Sequence, residues 1–280
     1  MQSSFKDERP TLFIVSTPIG NLKDITLRAL ETLQHVDVIF AEDTRTSGVL
    51  LKHYDINKPV FSYHEFNKTE KELHVLTLLE ERKNIALISD AGTPGISDPG
   101  FEIIQKVIEA GFHVVAIPGA SAMLTALVSS GLVMQPFTFI GFLPRKLSSC
   151  TELIDAYRKH RETLIIYESP TRIKKTLECI YQAYGNRKIV ISRELTKIYE
   201  TIVRTTLEAS LLMEHNPKGE YVLLIEGNRE IESFDHMTIE AHMRVYLQQG
   251  YTEKDAMKHV AKDRNVSKSV IYQAYKIDEK

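Results

Sequence analysis

The chain is short of cysteine, of surplus charge and of long apolar runs, and each shortage closes off a class of protein. Cys150 and Cys179 are its only cysteines among 280 residues, too few for a disulfide scaffold and not spaced like a zinc site. They read as buried or incidental thiols. Lys and Arg number 35 against 37 Asp and Glu, a formal net charge of -2, which excludes a uniformly basic nucleic-acid coat and leaves a local basic face open. No apolar stretch approaches the roughly 18 residues of a membrane-spanning helix. The opening MQSSFKDERP lacks the basic-then-apolar order of a signal peptide. A soluble, intracellular protein is expected. No His, Cys and carboxylate group has ligand spacing, so no protein-bound structural metal is expected. Internal repeats and low-complexity segments are also missing.

What the chain does have is length and apolar material, 43% hydrophobic residues, enough for one large core or two ordinary ones. From Thr11 onward, short β-branched runs alternate with helical periodicity, the pattern of an α/β fold with a mainly parallel sheet. The runs at 11–16, 37–41, 59–63, 84–89 and 113–118 are predicted strands. Phe101, Ile104, Val107 and Ile108 are predicted to form a sheet-facing helical stripe ended by Gly111. After the turn-rich SSGLVMQP the rhythm restarts with strands at 138–142, 163–168, 188–194, 200–206 and 221–227, and helices over 149–160, 170–183 and 207–215. The strands at 188–194 and 200–206 are close enough for an antiparallel pair. The expected organisation is a flexible N-terminus (1–10), an N-terminal α/β domain (11–128), a C-terminal α/β domain with a mixed sheet (136–228) and a helical module (236–280). In that module Thr252 and Ser267 stand where N-cap hydroxyls would, and Asn265 suits the turn between two helices. The spacing resembles a helix-turn-helix.

The most unusual segment is SDAGTPGISDPG, Ser89 to Gly100, between a strand and a helix. Three glycines, two prolines and two aspartates there give a stiff loop with exposed backbone N–H groups and two acceptors. Open α/β sheets place ligands at such strand ends, although a tight surface connection is the plainer reading. Neither GxGxxG nor a P-loop is present. Two loops have similar placement: Thr17 to Leu22 after the first strand, and Pro118 to Ala122 after the fifth, opening a helix rich in small residues. Glu42-Asp43-Thr44-Arg45 follows the second strand and reads as an orienting or proton-accepting group, or as a capped helix start with an exposed ion pair. His64-Glu65-Phe66-Asn67 follows the third, and a lone histidine in a loop is more often structural than catalytic.

TPIGNLKDITLRAL, EDTRTSGVLL, SDAGTPGISDPG and IPGASA, in this order and spacing, resemble the tetrapyrrole methylase superfamily, and most closely its ribosomal RNA small subunit methyltransferase I branch. The resemblance covers Thr11 to Gly227, and the helical tail looks like that branch's C-terminal extension. It implies two α/β domains that bind S-adenosylmethionine in the cleft between them, a cytoplasmic homodimer, and 2'-O-methylation of a cytidine in 16S ribosomal RNA. Residues matching the family's cofactor loops are Pro18, Gly20, Asp90, Ala91, Gly92, Thr93, Pro94, Gly95, Ile96, Ser121 and Ala122, with Tyr167, Glu168 and Ser169 from the second domain. The match departs at Phe66, where the branch often carries a second histidine, which weakens a pairing role for His64.

On that reading Glu42 or Asp43, with Arg45, orients or deprotonates the ribose hydroxyl. RNA contacts are expected from two basic clusters. One comprises Arg145, Lys146, Arg158, Lys159 and Arg161. The other is the tail, where Tyr251 to Lys276 holds six basic residues against three acidic, including Lys254, Lys258 and Lys262 on one helical stripe and Lys268. Such a stripe is often only a solvated face. Two alternatives stay open: a C-methyltransferase acting on a tetrapyrrole precursor, and a non-catalytic RNA-binding assembly factor on the same fold.

Overall fold

A computed structural model describes residues 2, 9–64, 67–229, 237–264 and 266–277. The expected flexible N-terminus falls largely outside the described residues, as do Asn265, Glu65 and Phe66. The chain divides into two compact units, 1–227 and 228–280.

The first unit holds two five-stranded sheets. Strands β1 (Thr11–Val15), β2 (Val38–Ala41), β3 (Val60–Ser62), β4 (Ile85–Ile88) and β5 (His113–Ile117) line up in the order β3-β2-β4-β1-β5, every pair parallel. β2 and β4 are buried along their whole length, as continuous apolar runs covered on both faces must be. The connecting helices are α1 (Leu27–His35), α2 (Thr44–His53), α3 (Lys68–Glu80) and α4 (Phe101–Glu109). They build one apolar cluster on each face of the sheet, one around Phe40, Leu79, Ile103 and Val107 and the other around Leu33, Ile39, Leu51 and Ile117. On α4 the buried face is Ile103 and Val107, whereas Phe101 and Ile108 are exposed. The predicted stripe was rotated, because period counting gives a face only to within a residue and Ile103 completes the i, i+4 pair with Val107.

The second sheet comprises β6 (Phe137–Phe142), β7 (Thr163–Glu168), β8 (Lys188–Arg193), β9 (Thr201–Thr206) and β10 (Tyr221–Ile225), ordered β6-β7-β10-β8-β9. β6 pairs parallel with β7, and the remaining pairs are antiparallel, including the expected β8–β9 pair. Helices α6 (Leu147–Ala156), α7 (Ile173–Tyr184) and α8 (Leu207–Leu211) contribute to a core on one face, around Ile154, Leu177 and Ile180. α5 (Ala122–Ser130), which leaves the first sheet, inserts Ala126 and Leu127 against Ile165, Val190 and Leu224 on the other face. That packing joins both sheets into one unit.

The second unit contains α9 (Ile239–Gln248), α10 (Glu253–Asp263) and α11 (Lys268–Ile277) around a small core of Met243, Ala256, Met257, Val260, Ala261 and Ile271. Thr252 caps α10 by accepting from the Asp255 N–H, as its position suggested. The Ser267 hydroxyl instead pairs with the Ser269 hydroxyl. Among the described residues no helix is long and apolar enough to cross a membrane.

Candidate functional site

Because β4, β1 and β5 are adjacent and parallel, the three loops singled out in the sequence leave the same sheet edge side by side. They are tied together directly. Thr17 and Gly92 exchange backbone hydrogen bonds, Thr17 N–H to Gly92 O at 2.8 Å and Gly92 N–H to Thr17 O at 3.1 Å. The Ser16 and Thr93 hydroxyls pair at 2.7 Å, and the Thr17 hydroxyl donates to Ser89 O at 3.0 Å. The twelve-residue loop is held against the first loop before any ligand is considered.

Above this edge lies a cavity of about 320 Å³, within the size range of small-molecule sites. Ala91, Gly92, Thr93, Ile96, Ser121, Ala122 and Tyr167 line it, with Glu168 and Ser169. Pro18, Gly20, Asp90, Pro94 and Gly95 do not line it. Pro18 and Pro94 are buried and shape the loop backbones, while Gly20 is exposed beside the stem of Lys197, whose Cγ is 2.5 Å from where an alanine Cβ would stand. The sequence reading missed Ile19, Asp98, Met123, Phe142, Leu195 and the run Gly219 to Val222, which also line the cavity. Ile19 and Asp98 sit inside segments already singled out. Met123 lies in the first turn of α5, and the others lie in strands and hairpin ends without a local motif.

The walls are mixed in a way that suits an amphiphilic ligand. Ile19, Met123, Leu195 and Val222 offer apolar surface, Asp98 and Glu220 offer carboxylates, and the small residues Ala91, Gly92, Ser121 and Ala122 leave backbone within reach of a ligand. Tyr167 accepts the Met123 N–H at 3.0 Å, and burial pushes its phenol up. Glu168, almost fully buried, accepts the Ser169 N–H at 2.8 Å and the Thr176 hydroxyl at 2.6 Å. The hairpin end of the second sheet reaches the first sheet's loop: Lys197 donates to Glu194 and Glu220, each at 2.9 Å, and the Asn21 N–H donates to the Thr196 hydroxyl at 3.2 Å.

β2 lies beside β4, so Glu42 to Arg45 borders the twelve-residue loop, and the Asp43 N–H donates to Asp90 at 3.1 Å. Asp43 caps α2 through the Arg45 N–H and accepts from the Arg45 guanidinium at 2.8 and 3.2 Å. Those bonds hold its carboxyl down at about 2. Glu42 behaves oppositely: burial, followed by the Asp98 and Asp90 charges, raises its proton affinity. Burial also raises Asp98. Glu42, Asp43 and Arg45 stand outside the cavity lining. The loop after β3 is closed by Asn67, which accepts the His64 N–H at 2.9 Å.

Arg145 and Lys146 are exposed just beyond β6, and Lys254, Lys258 and Lys262 are exposed along α10, where Lys258 donates to Asp255 at 2.9 Å. Lys268 is half-buried. Among the described residues no group of three or more His, Cys, Asp or Glu is placed to hold a metal ion.

The family of Tetrapyrrole (Corrin/Porphyrin) Methylases matches residues 11–210. The chain is 44% identical to the ribosomal RNA small subunit methyltransferase I of Bacillus subtilis over 288 aligned positions, 99% of either chain. It is 41% identical to the same-named protein of Synechocystis sp., covering 94% of this chain and 96% of that one. Among solved structures, a diphthine synthase superposes with a TM-score of 0.62 at 14% identity, over 77% of this chain and 89% of that one. A cobalt precorrin-4 methyltransferase superposes with a TM-score of 0.56 at 21% identity, over 77% and 94%. These two show a shared fold. The chain belongs to the tetrapyrrole methylase family and, within it, groups with the ribosomal RNA small subunit methyltransferase I proteins.

Proposed function

We propose that this protein is an S-adenosylmethionine-dependent ribosomal RNA methyltransferase that methylates a cytidine 2'-hydroxyl of 16S ribosomal RNA. The observation that carries the reading is the cavity at the carboxyl edge of the first sheet, walled by the family's loops and closed by the second sheet. Its apolar walls suit an adenine ring, its small-residue loops suit close backbone contact, and its carboxylates suit a ligand bearing cationic groups. When bound, the cofactor supplies an activated methyl group on a sulfonium. The loops around Gly92 and Ser121 then hold the cofactor with Tyr167, and the protein's remaining tasks are alignment and proton removal.

Alignment of bound reactants is worth roughly 7 to 11 kcal/mol, and a positioned base adds about 10²- to 10⁴-fold. Of the two carboxylates left open by the sequence, Glu42 is the one suited to take the hydroxyl proton, because its affinity for a proton is raised. Asp43 is occupied by Arg45, and the pair serves to orient the nucleotide. Arg145, Lys146 and the α10 lysines Lys254, Lys258 and Lys262, with Lys268, contact RNA phosphates. The homodimer implied by the resemblance belongs to the same proposal and is checked by sedimentation.

The deciding experiment transfers labelled methyl from S-adenosylmethionine to isolated small ribosomal subunits and digests the RNA with alkali. Label in an alkali-resistant dinucleotide containing cytidine is expected. Label on a base, or transfer only to a tetrapyrrole, overturns the reading.

A further inference from the structure

We propose that Phe142 is a stacking platform for an unpaired nucleobase of the RNA substrate, delivered to the cavity mouth by a β-bulge at Gly141. The inference rests on the protein's being an RNA methyltransferase.

β6 is an edge strand, and its register on β7 slips: Phe139 faces Ile165, but Gly141 faces Ile166 and Phe142 faces Tyr167. Ile140 is the additional residue. Side chains alternate along a strand, so an unbulged β6 would put Phe142 on the face opposite Phe139. Ile140 and Ile166 belong to the cluster on that opposite face, whereas Phe139, Ile165 and Tyr167 belong to the cluster on the cavity side. The inserted residue therefore moves Phe142 to the cavity side, and bulges next to active sites commonly re-aim a side chain in this way. The bulge needs Gly141 at φ 77°, a left-handed conformation.

The ring that this device delivers is only partly used for packing. Phe142 is 57% exposed although it lines the cavity, and its ring stands edge-on to Tyr167 with centroids 5.7 Å apart. Phe139 already packs on Tyr167 at 4.8 Å, so the Tyr167 ring has an aromatic neighbour without Phe142. Leaving a phenyl in water forgoes the stabilisation that its burial would bring.

The chain beyond the ring supplies charge of the right sign. Arg172 donates to Leu143 O at 2.9 Å and to Pro144 O at 3.0 Å, which pins the turn carrying the exposed Arg145 and Lys146. An exposed aromatic ring followed by cations is the composition of sites for single-stranded nucleic acid, where bases stack and phosphates follow the basic residues. A nucleotide that presents its ribose to the cavity loses its neighbours in the RNA stack, and Phe142 restores a stacking surface to its base or to the adjacent one.

The chain contains no tryptophan, so Phe142→Trp places the single indole of the protein at this position. Its fluorescence is expected to be quenched by a short oligocytidylate added to protein already saturated with S-adenosylmethionine. Phe142→Ala is expected to raise KM for small ribosomal subunits about tenfold at saturating S-adenosylmethionine, and Phe142→Tyr to restore KM. Circular dichroism confirms that each variant is folded. An unchanged KM in Phe142→Ala overturns the proposal. So does the absence of quenching by oligocytidylate together with weakened cofactor binding in Phe142→Ala, which assigns the ring to the cofactor, or a changed sedimentation coefficient, which assigns it to a contact between copies of the chain. Failure of the wild-type protein to methylate the subunits in the same assay refutes the underlying reading instead.

Discussion

The phenolic oxygen of Tyr167, on β7 of the second sheet, accepts the backbone N–H of Met123, in the first turn of the helix that leaves the first sheet, at 3.0 Å. One hydrogen bond thus links two walls of the cavity. Tyr167→Phe keeps the ring and removes the acceptor, leaving a partly buried N–H unpaired at a cost of about 1 kcal/mol or more. The expected outcome is a roughly 5- to 10-fold weaker affinity for S-adenosylmethionine by calorimetry, with the fold intact. Unchanged affinity would show that this link does not shape the site.

Removing the Glu42 carboxylate should stabilise the protein. Burial and the Asp98 and Asp90 charges raise its proton affinity in the folded state, so its ionised form is disfavoured there relative to the unfolded chain. The stability associated with a raised carboxyl is fully present below the unfolded value of 4.5 and is lost as pH rises through the folded value. Glu42→Gln is therefore expected to melt higher than wild type at neutral pH, with the difference vanishing below the ordinary glutamate range, while single-turnover methyl transfer falls about 10²-fold or more. Wild-type transfer rates should show an acid limb above the usual carboxylate range, moving down in Asp98→Asn. Wild-type rates in Glu42→Gln would remove the assignment.

Glu168 holds the turn after β7 by accepting from the Ser169 N–H and the Thr176 hydroxyl, with the Arg172 guanidinium 3.6 Å away. Glu168→Ala strands these partners in a buried setting and should cost about 3 kcal/mol in chemical denaturation. Glu168→Gln retains an acceptor and should lose less.

Gly20 has φ +149°, and an alanine there would place its Cβ 2.5 Å from Lys197 Cγ. Lys197 is fixed by Glu194 and Glu220, so it cannot yield without releasing an ion pair beside the cavity. Gly20→Ala is expected to weaken S-adenosylmethionine binding several-fold, and Lys197→Ala added to it to recover part of the loss. Non-recovery in the double variant would exclude the clash as the cause.

Lys254, Lys258 and Lys262 are exposed on α10, but Lys258 already donates to Asp255. Lys254→Ala and Lys262→Ala should each lower the salt dependence of RNA binding by about 0.7 in logarithmic slope, and Lys258→Ala by less. A chain ending at Gly227 retains all four apolar clusters of the first unit and should keep its affinity for S-adenosylmethionine while binding RNA more weakly. Equal RNA affinity at several salt concentrations would deny the module this role.

All ten strands were legible along the chain because β-branched runs bounded by Gly, Pro, Asn and Asp are local signals. So were the three loops on one sheet edge, since in a parallel sheet every loop that follows a strand emerges at the same side. The face of α4 was misplaced, because Phe101 and Ile108 are as apolar as Ile103 and only the neighbouring elements choose among them.

Sequence alone determined the ten strands, the unusual loop from Ser89 to Gly100 and the family resemblance that those motifs carry. Only the tertiary structure decided who stands beside whom. The order β3-β2-β4-β1-β5 brings Asp43 to Asp90 across 47 residues, the packing of α5 places Met123 under Tyr167, and a one-residue slip at Gly141 turns Phe142 toward the cavity. Periodicity is a property of neighbouring residues in the chain, whereas strand order, helix docking and register are chosen by burial of whole faces, which no short segment records.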